Sequence, residues 1–183
     1  MSSLDLQSFV AQIRAEQRLT HEIPGFEPGN GNAAARFLFV LEAPGPRAVE
    51  TGVVSFENPD ATARNFRAQL AAAGVARADI AIWNVVPWYL GDSDRSRIRP
   101  ATGRDIAVGT AYLLRLLPLL PRLTSIVLVG TAARRAHVAL SASTSARILA
   151  CHHPSPKVIN ASSAAAAENI AVFKFMLAGQ HAP

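Results

Sequence analysis

A chain of 183 residues fits one ordinary domain, which should bury roughly 70% of its unfolded surface without a metal or disulfide staple. Half its residues are apolar and 17% are charged, which excludes intrinsic disorder, and a single cysteine excludes a disulfide framework or a four-thiolate cluster built from this chain. Lys and Arg outnumber Asp and Glu by 18 to 13, a balance suited to a phosphate-binding surface and equally to a merely solvated basic one.

Along the chain, Leu6, Phe9, Val10 and Ile13 fall at helical spacing, so the first helix is expected over about 4–17. The opening stretch carries Asp5 and no continuous apolar core, so it does not read as a signal peptide. No run of about 18 apolar residues offers a membrane span, and the expected location is the cytoplasm. A Pro- and Gly-rich loop, His21 to Asn32, precedes a nearly all-apolar run, Phe37 to Leu41, of the kind buried on both faces of a parallel sheet. A helix is predicted from Asp60 to Ala73, capped by Asp60 and stopped by Gly74. Ile80 to Val86 reads as a second buried strand, and Gly103 to Leu120 as a helix with Pro118 in or ending its final turn. Ser125 to Val129 is a third strand, halted by Gly130, with Thr131 placed to cap a helix running through Leu140. Arg147 to Cys151 is the fourth strand, and Ala161 to Ala178 the last helix, with Ile170, Phe173 and Leu177 on one face.

Strands alternating with helices imply a parallel sheet wrapped on both sides by right-handed crossovers. No repeat or linker interrupts the pattern, so residues 1–183 read as a single three-layer α/β domain with a small four-stranded sheet. Ligands of such sheets bind beyond the carboxyl ends of the strands. That rule directs attention to the loops after Leu41, Val86, Gly130 and Cys151.

The first of these loops reads LEAPGP, Leu41 to Pro46, and sets a lone carboxylate, Glu42, before a stiff turn. The second places Asn84 inside a buried run, where its amide needs a partner in the backbone or in a ligand. The last reads CHHPSP, Cys151 to Pro156, with His152 and His153 at a strand end before two prolines. The histidine pair has no second ligand cluster to complete a metal site, and Ser155 has no nucleophile elbow around it. Arginines gather at Arg95, Arg97, Arg99 and Arg104, and again at Arg134 and Arg135.

EAPG at Glu42–Gly45, Asn84 in NVVP and HPSP at His153–Pro156, in that order, resemble the uracil-DNA glycosylase superfamily from about Phe37 to Ser162. The resemblance implies that superfamily's small parallel sheet between helices. It also implies base flipping and hydrolysis of an N-glycosidic bond, with no cofactor. Glu42 would then favour the sugar cation and orient or deprotonate water, while His153 would donate to the 2-oxo group of the departing uracil. Asn84 would read the base edge, and Phe56, spaced after Glu42 as the family's stacking phenylalanine is, would sandwich the ring. The backbone around Ala43, Pro44 and Gly45 would add contacts to the base. Pro154, Ser155 and Pro156, with Lys157, would press on the DNA backbone, and Gly130 and Thr131 would offer a second phosphate seat.

The implied partner is uracil-containing DNA, single- or double-stranded, with free uracil as product and with no membrane and no obligate protein partner; the architecture works as a monomer. Ala43, where the best-known branch has Asp, matches the iron–sulfur branch, whose four cysteines this chain lacks. Gly45 replaces the tyrosine that excludes thymine, leaving Trp88 or Tyr89 as substitutes, and Lys157 stands where a leucine plugs the vacated base stack. Three other readings stay open: a uracil- or abasic-DNA binder without efficient turnover, a glycosylase for another base such as hypoxanthine or mismatched thymine, and an unrelated phosphate-binding α/β protein.

Overall fold

The first helix forms where the apolar spacing places it. In the computed structural model, which describes residues 5–179, α1 (Leu6–Gln17) buries Leu6, Phe9, Val10 and Ile13. The Asp5 carboxylate caps it by accepting the Ser8 N–H at 2.6 Å. The expected start at residue 4 lies outside the described residues. Next come β1 (Gly25–Phe26), β2 (Phe37–Leu41), α2 (Pro46–Thr51), β3 (Val53–Val54) and α3 (Ala61–Ala73), the last capped by Asp60 and closed by Gly74 in the left-handed region. They are followed by β4 (Ile80–Asn84), α4 (Gly103–Leu116), β5 (Ser125–Val129), α5 (Thr131–Arg134), α6 (His137–Ser141), β6 (Arg147–Cys151), α7 (Pro156–Ala161) and α8 (Ala165–Ala178).

Four strands pair in the order β4-β2-β5-β6, all parallel. Alternation along each strand divides the core in two. Leu38, Val40, Ala81, Trp83, Ile126 and Leu128 face α1 and α4, whereas Phe37, Phe39, Ile80, Ile82, Val127 and Val129 face α3 and α8. Phe39, Phe66 and Phe173 meet edge to face on the second side, with centroids 5.3–6.2 Å apart. Burying one such side chain fully contributes about 1.5–3 kcal/mol, so the strands owe their place to both layers at once. A separate two-residue parallel pair joins β1 to β3, Gly25 opposite Val53. Elements that short carry no periodicity, and the Pro- and Gly-rich loop gave no sign of one.

Three boundaries differ from the sequence reading. The strand ends at Asn84 rather than Val86, although the Val85 and Val86 amides still donate to Leu41 O at 2.8 Å and Glu42 O at 2.9 Å. The helix after β5 is not continuous to Leu140. Gly130, with φ of 86°, occupies the cap position, Thr131 is already helical, and i→i+3 bonds at Arg135 and Ala136 tighten the chain between α5 and α6. The last helix starts at Ala165 rather than Ala161, because Ala161 closes α7 and Ser162 is extended. Pro118 falls in a tight turn, Leu117–Leu119, that finishes α4.

Candidate active site at the carboxyl ends of the strands

Beyond the carboxyl ends of β2 and β4 lies a cavity of about 520 Å³, its wall formed by Glu42 to Ala48, Phe56, Asn84, His153 and the stretch Ile98–Pro100. This volume is in the range of small-molecule sites. The register explains how the loops converge: Leu41 pairs with Asn84, and Val129 with Cys151, so each strand delivers its following residues to the same edge. The Glu42 carboxylate is half-buried, and its Oε1 accepts the Ala101 N–H at 2.9 Å. Oε2 has no hydrogen-bond partner among the described residues.

His153 lines the same cavity as that carboxylate. Burial pushes its imidazole below the usual value, and the Glu42 charge opposes that shift only in part. The Ser155 N–H donates to Nδ1 at 3.2 Å, so the neutral ring keeps its proton on Nε2. The ring is seated against Gly130, where a Cβ would come within 3.1 Å of the His153 Cβ and where φ is 86°. Gly130 is thus required twice, by its own backbone and by its neighbour. Asn84 is 2% exposed, yet its amide has no hydrogen-bond partner among the described residues. Its amide is therefore open toward the cavity that Asn84 lines. Phe56 is buried in the same wall, with the Arg77 guanidinium 5.2 Å from its ring centroid.

A model of the uracil DNA glycosylase superfamily matches residues 28–176, a longer span than the motifs alone covered. The chain belongs to the uracil DNA glycosylase superfamily. It is also similar to the solution NMR structure of a candidate uracil DNA glycosylase from Methanosarcina acetivorans, at 14% identity and a TM-score of 0.57. That match covers 85% of this chain and 97% of the other, and it bears on the shared fold. No curated protein matches the chain.

In this superfamily member, Ala43, Pro44, Gly45, Phe56 and Asn84 join Glu42 and His153 around one cavity. The residues expected to meet DNA lie apart from the cavity wall. Pro156 and Lys157 open α7, Lys157 is exposed, and Ser155 precedes them with its amide committed to His153. Gly130 gives its amide to Cys151 O at 3.0 Å and so has none to offer a phosphate, while Thr131 is exposed at the start of α5. Trp88 and Tyr89 are buried but do not line the cavity, so neither replaces the missing tyrosine. At Gly45 a Cβ would meet nothing within 4 Å. The two histidines part company: His152 turns outward, its Nε2 2.6 Å from Glu168. Cys151 is buried, which pushes its thiol up to about 12.

Three supports were missed in the sequence. The Asn169 Oδ1 accepts the His152 N–H at 2.8 Å, while its Nδ2 donates to Gln69 Oε1 at 2.9 Å and His152 O at 3.0 Å. Asn65 Nδ2 donates to Pro154 O at 3.0 Å. Together these hold the HPSP loop from behind. Asn169 left one signal: it lies four residues before Phe173, a polar residue on the buried face of an apolar helix. Ala101 left none, since its contribution to Glu42 is a backbone amide.

Proposed function

We propose that the protein is a monofunctional uracil-DNA glycosylase that takes a flipped uracil into this cavity and hydrolyses its N-glycosidic bond, leaving an abasic site. The observation that carries the reading is that one cavity wall brings together the Glu42 carboxylate, the His153 imidazole, whose Nδ1 accepts the Ser155 N–H, and the Asn84 amide, which has no hydrogen-bond partner among the described residues.

The chemistry follows from charge. As the bond between C1′ and the base breaks, its electron pair leaves on the uracil and the sugar becomes cationic. Glu42 stabilises that cation, and its free Oε2 orients the water that adds to C1′ and takes up the water's proton. His153 donates from Nε2 to the 2-oxo group as negative charge gathers there. A neutral donor serves because the hydrogen bond strengthens with the charge it meets. Each group is expected to supply ~2.7–4 kcal/mol, the range of a well-placed oxyanion donor. The Asn84 amide accepts from the ring N–H and donates to the 4-oxo group, and Phe56 lies against the ring.

Release of free base from oligonucleotides carrying uracil, hypoxanthine or G-opposed thymine, followed by alkaline cleavage, tests the reading. Uracil release with strand breaks supports it, and a stable complex without breaks would make the protein a binder of uracil or abasic DNA. Asn84→Asp is expected to narrow the preference for uracil over cytosine, because an ionised carboxylate cannot donate to the 4-oxo group. An unchanged preference removes Asn84 from base reading. The open space at Gly45 favours a second reading, a wider base range that includes 5-methylated pyrimidines. Release of thymine in the same panel would show it.

A further inference from the structure

No residue of the Pro- and Gly-rich loop before β2 lines the cavity, yet the end of that loop is built around one side chain. Arg77 lies in the tight turn Arg77–Asp79 that precedes β4. Its Nε donates to Asn30 Oδ1 at 3.1 Å, and its Nη2 lies 3.3 Å from Glu27 Oε1. The Gly31 N–H donates in turn to Arg77 O at 3.2 Å. Two glycines leave room for this cradle. A Cβ at Gly29 would come within 2.5 Å of the Arg77 guanidinium, and one at Gly31 would collide with the Ala78 carbonyl.

The cradle holds a cation against Phe56. The guanidinium carbon lies over the Phe56 ring, 5.2 Å from its centroid. Phe56 lines the cavity and Arg77 does not, so the cation covers a part of the ring that is turned away from the cavity. Glu57 approaches Arg77 at 3.8 Å but pairs more closely with Arg67, at 2.6 Å. Guanidinium hydrogen bonds lie in its plane, so these partners fix the group and leave its face to the ring.

We propose that Arg77 tunes the Phe56 ring to receive a base that turns anionic. The face of a phenyl ring is negative and opposes an anion stacked on it. A cation on the other side draws the same π electrons toward itself and so weakens that opposition. The opposition grows only as the electron pair of the glycosidic bond moves onto the uracil. The benefit therefore falls in the transition state and in the binding of an ionised base, not in the binding of a neutral one. Arg77 is a positioning residue: it touches neither base nor sugar and acts through Phe56. The inference rests on the reading of Phe56 as the ring that meets the flipped base.

Wild type, Arg77→Met and Arg77→Lys are compared in two measurements. The first follows single-turnover release of uracil and of 5-fluorouracil, whose fluorine withdraws charge and makes it the better leaving group. Arg77→Met is expected to slow uracil about tenfold and 5-fluorouracil about twofold, both within the range of a cation–π contact, with Arg77→Lys between wild type and Arg77→Met. The ratio of the two rates within one variant is independent of how much of it is folded. The second titrates free 5-fluorouracil below and above the pH at which it ionises, where Arg77→Met should weaken the ionised ring about tenfold more than the neutral one. In a Phe56→Leu background the bias caused by Arg77→Met should vanish. Equal losses for the two bases or for the two ionisation states, a lysine no better than methionine, or a bias that persists without Phe56 each overturns the proposal. A protein that shows the ionisation bias but releases neither base refutes the glycosylase reading alone, and one that releases both bases with equal losses refutes the role of Arg77 alone.

Discussion

Two segments meet at the mouth of the cavity and are held in opposite ways. The His153 loop is fixed from within, by the Gly130 contact, the Asn65 bond and the buried amides of Asn169 and Gln69. The hairpin between β4 and α4, closed by the Gly91–Ile98 bridge, is fixed at the surface, by backbone bonds and the Arg99–Asp105 pair, with most of its side chains in water. Buried networks keep their strength in salt, whereas exposed charges are screened and individually weak. The contrast separates two tasks. Aiming a hydrogen-bond donor at a leaving base requires a geometry set before substrate arrives, and holding a polyanion requires charge that water and counterions can exchange with. Ala101 joins the two, since its amide follows the end of the hairpin and its acceptor, Glu42, belongs to the cavity wall.

The largest effects should fall on the inner segment and its opposite wall. Glu42→Gln and His153→Ala are each expected to lower the rate of uracil release by ~10² or more at saturating enzyme, with folding intact, because each removes a charge or donor that matters most in the transition state. Single-turnover assays on a uracil oligonucleotide measure this. Rates within a few-fold of wild type would take that residue out of the mechanism and leave the inner segment with no special standing.

A support behind the loop should matter next. Asn169→Ala strands the Gln69 carbonyl, the His152 N–H and the His152 O without their partner. Leaving buried polar groups unpaired costs about 1–3 kcal/mol, read as a lower urea midpoint. The turnover number should fall more than the Michaelis constant rises, because the loop loses aim rather than affinity. Equal urea midpoints would mean that Asn65 and Gly130 suffice to hold the loop.

The protonation of His153 gives a smaller, signed effect. The folded imidazole protonates below the ordinary value of 6.5. Between that value and the lower folded one, the unfolded chain binds the proton and the folded chain does not, so stability falls as pH falls through this interval and is unaffected above it. Urea midpoints of wild type and His153→Ala from pH 8 to pH 5 should therefore converge toward acid, with wild type losing more. Parallel curves would mean that the ring titrates as freely as one in water, and the inner segment would lose its claim to a preset neutral donor.

The four long strands, and the loops that gather at their carboxyl ends around the cavity, were legible in the sequence because their causes are local. Apolar runs flanked by Gly and Pro specify buried parallel strands, and strand ends locate the loops. Glu42 directly follows such a run, Asn84 ends one, and His153 stands two residues beyond another. The supports behind them were not legible, because Asn169 and Gln69 are 100 residues apart in the chain and meet only when α3 and α8 pack on the same face. The hairpin was hidden for a different reason. Its arginines announce charge, but the fixed backbone comes from a bridge between Gly91 and Ile98 and from the first turn of α4, neither of which has a sequence period.

The smallest effect tests the outer segment. Arg97 is exposed and makes no ion pair among the described residues, whereas Arg99 is taken up by Asp105 and Arg95 lies 3.6 Å from Glu50. One uncommitted guanidinium on a phosphate releases about one counterion, so Arg97→Ala should lower the slope of log affinity against log salt by about 1 and weaken binding evenly across sequences. Arg95→Ala should change the slope less, because Glu50 already neutralises part of its charge. Fluorescence anisotropy with one duplex over a salt series measures both. If Arg95→Ala moved the slope as far as Arg97→Ala, the ion pair would open on DNA, and the outer segment would be a surface that rearranges on binding rather than one set in advance.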